Sequence, residues 1–186
     1  MFDTYDQMIE GYDDVQEAQP GPAHIPTDYY YVEVADIMGK GVTGTGVPYV
    51  RTRLRIMEGP MANRSVFITH WLGNAGNARV NDGETQEQAN ERARRITMAV
   101  NKKLLNSLGV MNGTAHGEGA DKIFNLYNVD QWKDKQMIAR IRQAGEDDYG
   151  MKYRLGQVYH LDDEKRGLQW WRQQNAQEAP NTGGSL

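Results

Sequence analysis

The run Pro48-Tyr49-Val50-Arg51-Thr52-Arg53-Leu54-Arg55-Ile56-Met57 is the part of this chain whose residue types and spacing most invite chemistry. Side chains two apart share one face of a strand. Tyr49, Arg51, Arg53 and Arg55 would therefore stand together, with Val50, Thr52, Leu54 and Ile56 turned to a core. Neighbouring guanidiniums repel, so a row of them needs an anionic partner. A phosphate backbone supplies one: Arg binds it bidentately and its plane stacks on bases. The next apolar run, Arg64 to Leu72, puts Phe67, Thr69 and Trp71 on one face and Val66, Ile68, His70 and Leu72 on the other. Either set suits a core. If Phe67 and Trp71 face out, they offer stacking surfaces for bases of any identity.

Two later alternating runs extend the basic set. Lys135 to Arg142 places Ile138, Arg140 and Arg142 on one face; Met151 to Tyr159 places Lys152 and Arg154 beside Gly156. Lys40, within the glycine-rich Gly39 to Gly46, is expected on a mobile loop able to close over a bound strand. With Arg64, these residues complete the expected nucleic-acid-binding set. No catalytic role is expected. His24, His70, His116 and His160 are scattered without metal-binding spacing, Ser65 and Ser107 have no nucleophile-elbow context, and Gly39–Gly46 lacks the Gly-Lys-Ser/Thr ending of a phosphate-binding loop. Asp162-Asp163-Glu164 precedes Lys165-Arg166 and reads as an exposed turn. No metal and no cofactor is expected.

These residues need a scaffold. Tyr29 to Met38 is rich in aromatic and β-branched residues and reads as a first strand. Pro48–Met57 and Arg64–Leu72 follow as the second and third. Thr85 to Leu108 carries Ala89, Ala93, Ile96, Val100, Leu104 and Leu108 at helical spacing, and Gly109 is a plausible stop. Ala120 to Trp132 reads as a shorter helical piece. Lys135–Arg142 and Met151–Tyr159 are the last strands, separated by a polar loop at 144–150. The class is mainly β (α+β), in the order β-β-β-α-β-β. That is the element order of the five-stranded oligonucleotide-binding (OB) barrel. Trp170-Trp171-Arg172 is expected to cap it, with stacking on bases as the alternative.

Three segments follow: an acidic arm with a proline-rich linker (1–28), the barrel domain (29–160), and a C-terminal extension with a flexible tail (161–186). In the arm, Phe2, Tyr5, Ile9 and Tyr12 at spacings of three and four suggest an amphipathic helix or docking segment. The net charge of -4 conceals an asymmetry. Of 25 acids, seven lie in residues 1–28 and one in 176–186, so residues 29–175 hold 17 acids against all 21 Lys and Arg, about +4. Such asymmetry suits polyanion binding. There is no cysteine, which excludes disulfides and thiolate metal sites and fits a cytoplasmic protein. No apolar run is long enough to span a membrane, and the start has no secretory leader pattern.

The stretch from Pro26 to Leu72 resembles the opening of a phage-encoded family of single-stranded DNA-binding proteins. The matching pieces are Pro26 before Tyr29-Tyr30-Tyr31-Val32-Glu33-Val34, then Gly44-Thr45-Gly46-Val47-Pro48-Tyr49, then Arg53-Leu54-Arg55-Ile56-Met57-Glu58-Gly59-Pro60-Met61-Ala62-Asn63-Arg64. Trp132-Lys133-Asp134-Lys135 before Gln136-Met137-Ile138-Ala139 resembles that family's entry into a later strand. The resemblance covers about residues 1–160. It implies an OB fold and sequence-tolerant binding of single-stranded DNA during phage replication or recombination. The implied partners are recombination or replication proteins, with homo-oligomers compatible. Many such proteins end in an acidic tip, whereas the last eight residues here hold no acid and the acidic segment is N-terminal. A protein-interaction or inhibitor protein acting through its acidic arm is the alternative expectation.

Overall fold

Aromatic and β-branched residues open the sheet, as their preference for a pleated, half-buried surface requires. The computed structural model describes residues 24–74, 76–147 and 150–177. In it, β1 (Asp28–Val42), β2 (Pro48–Ile56) and β3 (Ser65–Trp71) are followed by α1 (Gln86–Leu108), α2 (Asp121–Leu126) and a 3-10 turn (Val129–Gln131). Then come β4 (Gln136–Asp147), β5 (Gly150–Tyr159) and α3 (Leu168–Gln177). The expected docking segment in the acidic arm and the last residues of the tail lie outside the described residues.

The strands form one sheet in the order β3-β2-β1-β4-β5, with every pairing antiparallel. The protein is thus mainly β, in the α+β class. The edges β3 and β5 are not hydrogen-bonded to each other, so the sheet is open rather than a closed barrel. Bulges interrupt β1–β2 at Val34/Asp36 and Ile37/Gly39, and β4–β5 at Ala139/Ile141 and Gln143/Glu146. Each bulge bends its strand and increases the local twist.

Two expected loops are strand instead. Gly39 to Val42 continues β1, because Gly41 stands opposite Tyr49 and lets the Tyr49 ring lie across it: a Cβ there would sit 2.7 Å from the phenol oxygen. Likewise, residues 144–147 extend β4, and Gln143 is held from outside the hairpin by Thr27 Oγ1 and the Ile25 carbonyl.

One sheet face is core. Val32, Val34, Val50, Leu54, Ile56, Val66, Ile68, Met137, Ala139 and Ile141 pack there against Leu104, Leu105 and Leu108 of α1 and against Phe124, Tyr127 and Trp132. A capping box sets where α1 begins: Gln88 N–H donates to Thr85 Oγ1, and the Gln88 side chain accepts from Thr85 N–H. Gly109, at φ 65°, ends it in the left-handed conformation. Thr85→Ala should lower stability by about 1 kcal/mol, read as a shifted urea midpoint with unchanged slope.

The expected α1 stripe is only partly core. Ile96 and Val100 are 55% and 61% exposed. The helix is about 34 Å long at 1.5 Å per residue, and its first half packs instead on the connection from β3. There Asn90 Oδ1 accepts from Ala78 N–H, and Arg92 bonds Glu84 and the Arg79 carbonyl.

The opposite face is partly covered by α3, a folded element within the expected C-terminal extension. Trp171 is buried with Tyr31 and Ile138 and donates through Nε1 to the Tyr29 carbonyl at 2.8 Å, the expected capping role. Arg172 bonds Glu58 and holds that carboxyl below the usual range. Among the described residues, no helix is long and apolar enough to cross a membrane.

Candidate nucleic-acid interface

Alternation along β2 separates its two sets of side chains. Val50, Thr52, Leu54 and Ile56 are buried, whereas Arg51, Arg53 and Arg55 are exposed. Register with β3 then settles which face of that strand is core. Leu54 faces Val66, Thr52 faces Ile68 and Val50 faces His70, all buried. Phe67 and Trp71 consequently point outward, 62% and 53% exposed. Arg53 stands opposite Phe67, Arg51 opposite Thr69, and Tyr49 opposite Trp71. Directly opposed side chains are neighbours on one face, so cations and aromatics interleave there.

Contacts within this face pre-position it. Tyr49 and Trp71 meet edge to face at 5.8 Å, and the Arg51 guanidinium lies 5.4 Å from the Tyr49 ring centre. Asn101 of α1 donates to the Trp71 carbonyl at 3.2 Å, fixing the end of β3. Arg55 differs from its neighbours: it is paired with Glu33 at 2.7 Å, so much of its charge is neutralised within the sheet. Among the described residues, no carboxylate pairs with Arg51, Arg53, Arg142 or Arg154.

Beside this face runs an open groove of about 810 Å³. Its walls are the outer strand β3 with Arg51 and Met38, and the distal part of the β4–β5 hairpin: Ala144, Met151, Lys152, Tyr153 and Arg154. Lys152 and Arg154 therefore join Arg51, Phe67 and Trp71 across a gap between the two sheet edges. Arg142 stands directly opposite Arg154 on β4. Met38, Met151 and Tyr153 are not legible in the sequence as site residues. Their place depends on how the hairpins bend, and no local pattern reports that.

Other expected site residues lie elsewhere. Lys40 is in β1 opposite Val50, hence on the core-side face and not beside Arg51. It is ion-paired to Asp130 at 2.8 Å and lies 5.8 Å from the Phe124 ring, so it is not the mobile closing residue expected of a glycine-rich loop. Arg64 is half-buried just before β3, 3.8 Å from the Met61 sulfur. Its charge opposes burial, Asp28 and Tyr153, which together push the Tyr30 phenol up to about 12. Arg140 is exposed but lies farther along β4, 5.9 Å from the Tyr29 ring.

No group of three or more metal-ligating residues occurs among the described residues. Asp163 caps a turn, accepting from the Lys165 and Arg166 N–H groups. His70 is buried, bonded to Thr52 Oγ1 at 2.8 Å and packed on Trp132, so it is part of the core. No family model matches the chain, and no curated protein matches it.

Proposed function

We propose that this protein binds single-stranded DNA without sequence preference, as a non-enzymatic OB-fold protein acting in the cytoplasm of a phage-infected cell. The observation that carries this reading is the outward face of β2 and β3. Exposed Arg51 and Arg53, ion-paired to no carboxylate among the described residues, alternate there with exposed Phe67 and Trp71, beside a groove whose far wall holds Lys152 and Arg154. Guanidiniums answer phosphates, and exposed rings answer bases in a sequence-tolerant way. Duplex bases are already stacked and paired, so this arrangement favours a single strand. The fold reading is supported by strand order and by the helix between β3 and β4, the arrangement of the OB fold short of joining β3 to β5. Protection or organisation of DNA in phage replication and recombination is the role that follows, with replication or recombination proteins as partners.

Fluorescence anisotropy with a labelled oligo(dT) of about thirty nucleotides, several OB-fold sites long, tests the reading. Binding should be tight at low salt and weaken steeply as salt rises, because phosphate contacts release counterions. A duplex of equal length should bind more weakly. Absence of binding at low salt, or preference for duplex, would overturn it.

A further inference from the structure

The β2–β3 face does not exhaust the outward cations and aromatics of the sheet. On the same side, Tyr29 of β1 faces Arg140 of β4, and Arg142 faces Arg154 of β5. Gly156, two residues beyond Arg154, carries no side chain. A Cβ there would meet Arg142 Cδ at 3.2 Å and the Arg140 carbonyl at 3.3 Å. The Arg142 stem therefore lies over β5 at Gly156, and Arg140 stands two residues farther along β4 on the same face. These arginines lead to an aromatic cluster. Tyr29 meets Trp170 edge to face at 5.5 Å and Tyr159 at 6.1 Å. Arg166 lies over both Trp170, at 4.7 Å, and Tyr29, at 5.6 Å; Arg140 approaches Tyr29 from the sheet.

Packing α3 onto the sheet buries Trp171 and brings Tyr29, Tyr159 and Trp170 against the same small apolar cluster, but it does not cover these three rings. Tyr29, Tyr159 and Trp170 are only half-buried, and Arg140, Arg142, Arg154 and Arg166 are exposed. Among the described residues no carboxylate pairs with any of these four. A row of exposed guanidiniums leading to rings repeats, on β4 and β5, the chemistry of β2 and β3.

We propose that the Tyr29–Tyr159–Trp170 cluster with Arg140 and Arg166 is a second subsite for single-stranded nucleic acid, joined to the groove by Arg142 and Arg154. One strand would leave the groove, cross β5 and β4, and stack its next bases on the cluster. From Lys152 to Tyr159 the path covers about 23 Å of strand, so a short oligonucleotide fills the groove alone and a long one reaches both subsites. The inference rests on the proposed single-strand binding and extends its footprint.

The test compares oligo(dT) of about six and about twenty nucleotides, one within and one beyond the range of a single OB-fold site, on the full chain and on Arg140→Gln/Arg166→Gln. Both side chains are exposed, so the fold should survive, with a matching thermal midpoint as control. The expected result is six-nucleotide affinity within about twofold of wild type, twenty-nucleotide affinity lower by roughly tenfold or more, and a salt slope shallower by about 1.4 for the long oligonucleotide. Equal losses at both lengths, or none at twenty, would overturn the second subsite while leaving single-strand binding in place. Failure of the wild-type protein to bind either length would instead overturn the parent reading, and the subsite with it.

Discussion

Arg51→Gln/Arg53→Gln combined with Trp71→Ala is expected to weaken single-strand binding by about a hundredfold to a thousandfold near 0.1 M salt. Removing one stacking ring costs about 1–3 kcal/mol. Removing each phosphate-binding guanidinium adds to this and flattens the salt dependence by about one unit. Trp71 is half exposed, and among the described residues both arginines are exposed with no carboxylate in ion-pair contact, so no buried charge is orphaned. Stability should stay within about 0.5 kcal/mol per surface change. Lys40→Gln provides the contrast. It too removes a cation, but one that points to the core-side face and is paired with Asp130, so affinity should change by less than about twofold. Anisotropy titrations of both variants decide the matter. If Lys40→Gln costs as much as the triple change, general electrostatics rather than the β2–β3 face governs binding.

That contrast also marks how far the sequence can be read. The outward row Arg51, Arg53 and Arg55 is legible because β2 alternates strictly, and strand period alone assigns its faces. The third strand is ambiguous in sequence because Phe67 and Trp71 are as apolar as Val66 and Ile68. Only cross-strand register, with Leu54 against Val66, separates them. Lys40 departs from expectation for a different reason. Glycines at 39 and 41 look like a loop, yet Gly41 serves a strand by making room for the Tyr49 ring. Ile96 and Val100 fit helical spacing with Leu104 but overhang the core, since periodicity reports a face and not where its partner ends. The groove is the least legible feature. It exists because bulges in β1 and β4 bend two hairpins until β5 residues stand beside β3, a long-range outcome that leaves no local signature.

Acid should destabilise the fold by about 3 kcal/mol through His70 alone as pH falls from 7 to 4. The ring lies on the inner side of β3, among Thr52 and Trp132, and burial lowers its pKa from 6.5 to about 4. A depressed histidine pKa means that the folded state holds the neutral ring more firmly than the unfolded state does. This contribution is complete above about pH 6.5 and is lost progressively as pH drops toward 4, because the unfolded chain takes up the proton first. A difference of roughly two and a half units corresponds to about 3 kcal/mol. Urea unfolding of wild type and His70→Gln at pH 7.5 and pH 4 isolates the effect, since carboxylate titration is common to both. The two stabilities should converge, or cross in favour of the variant, at pH 4; parallel curves would show that the buried ring is not the acid-sensitive group. The consequence reaches the proposed interface, because His70 sits between Thr69 and Trp71 on one strand. Charging it should loosen the strand that presents Trp71, so oligonucleotide affinity is expected to fall below about pH 5 in wild type. In the variant it should instead follow only the general electrostatic trend, in which a more positive protein binds a polyanion more tightly.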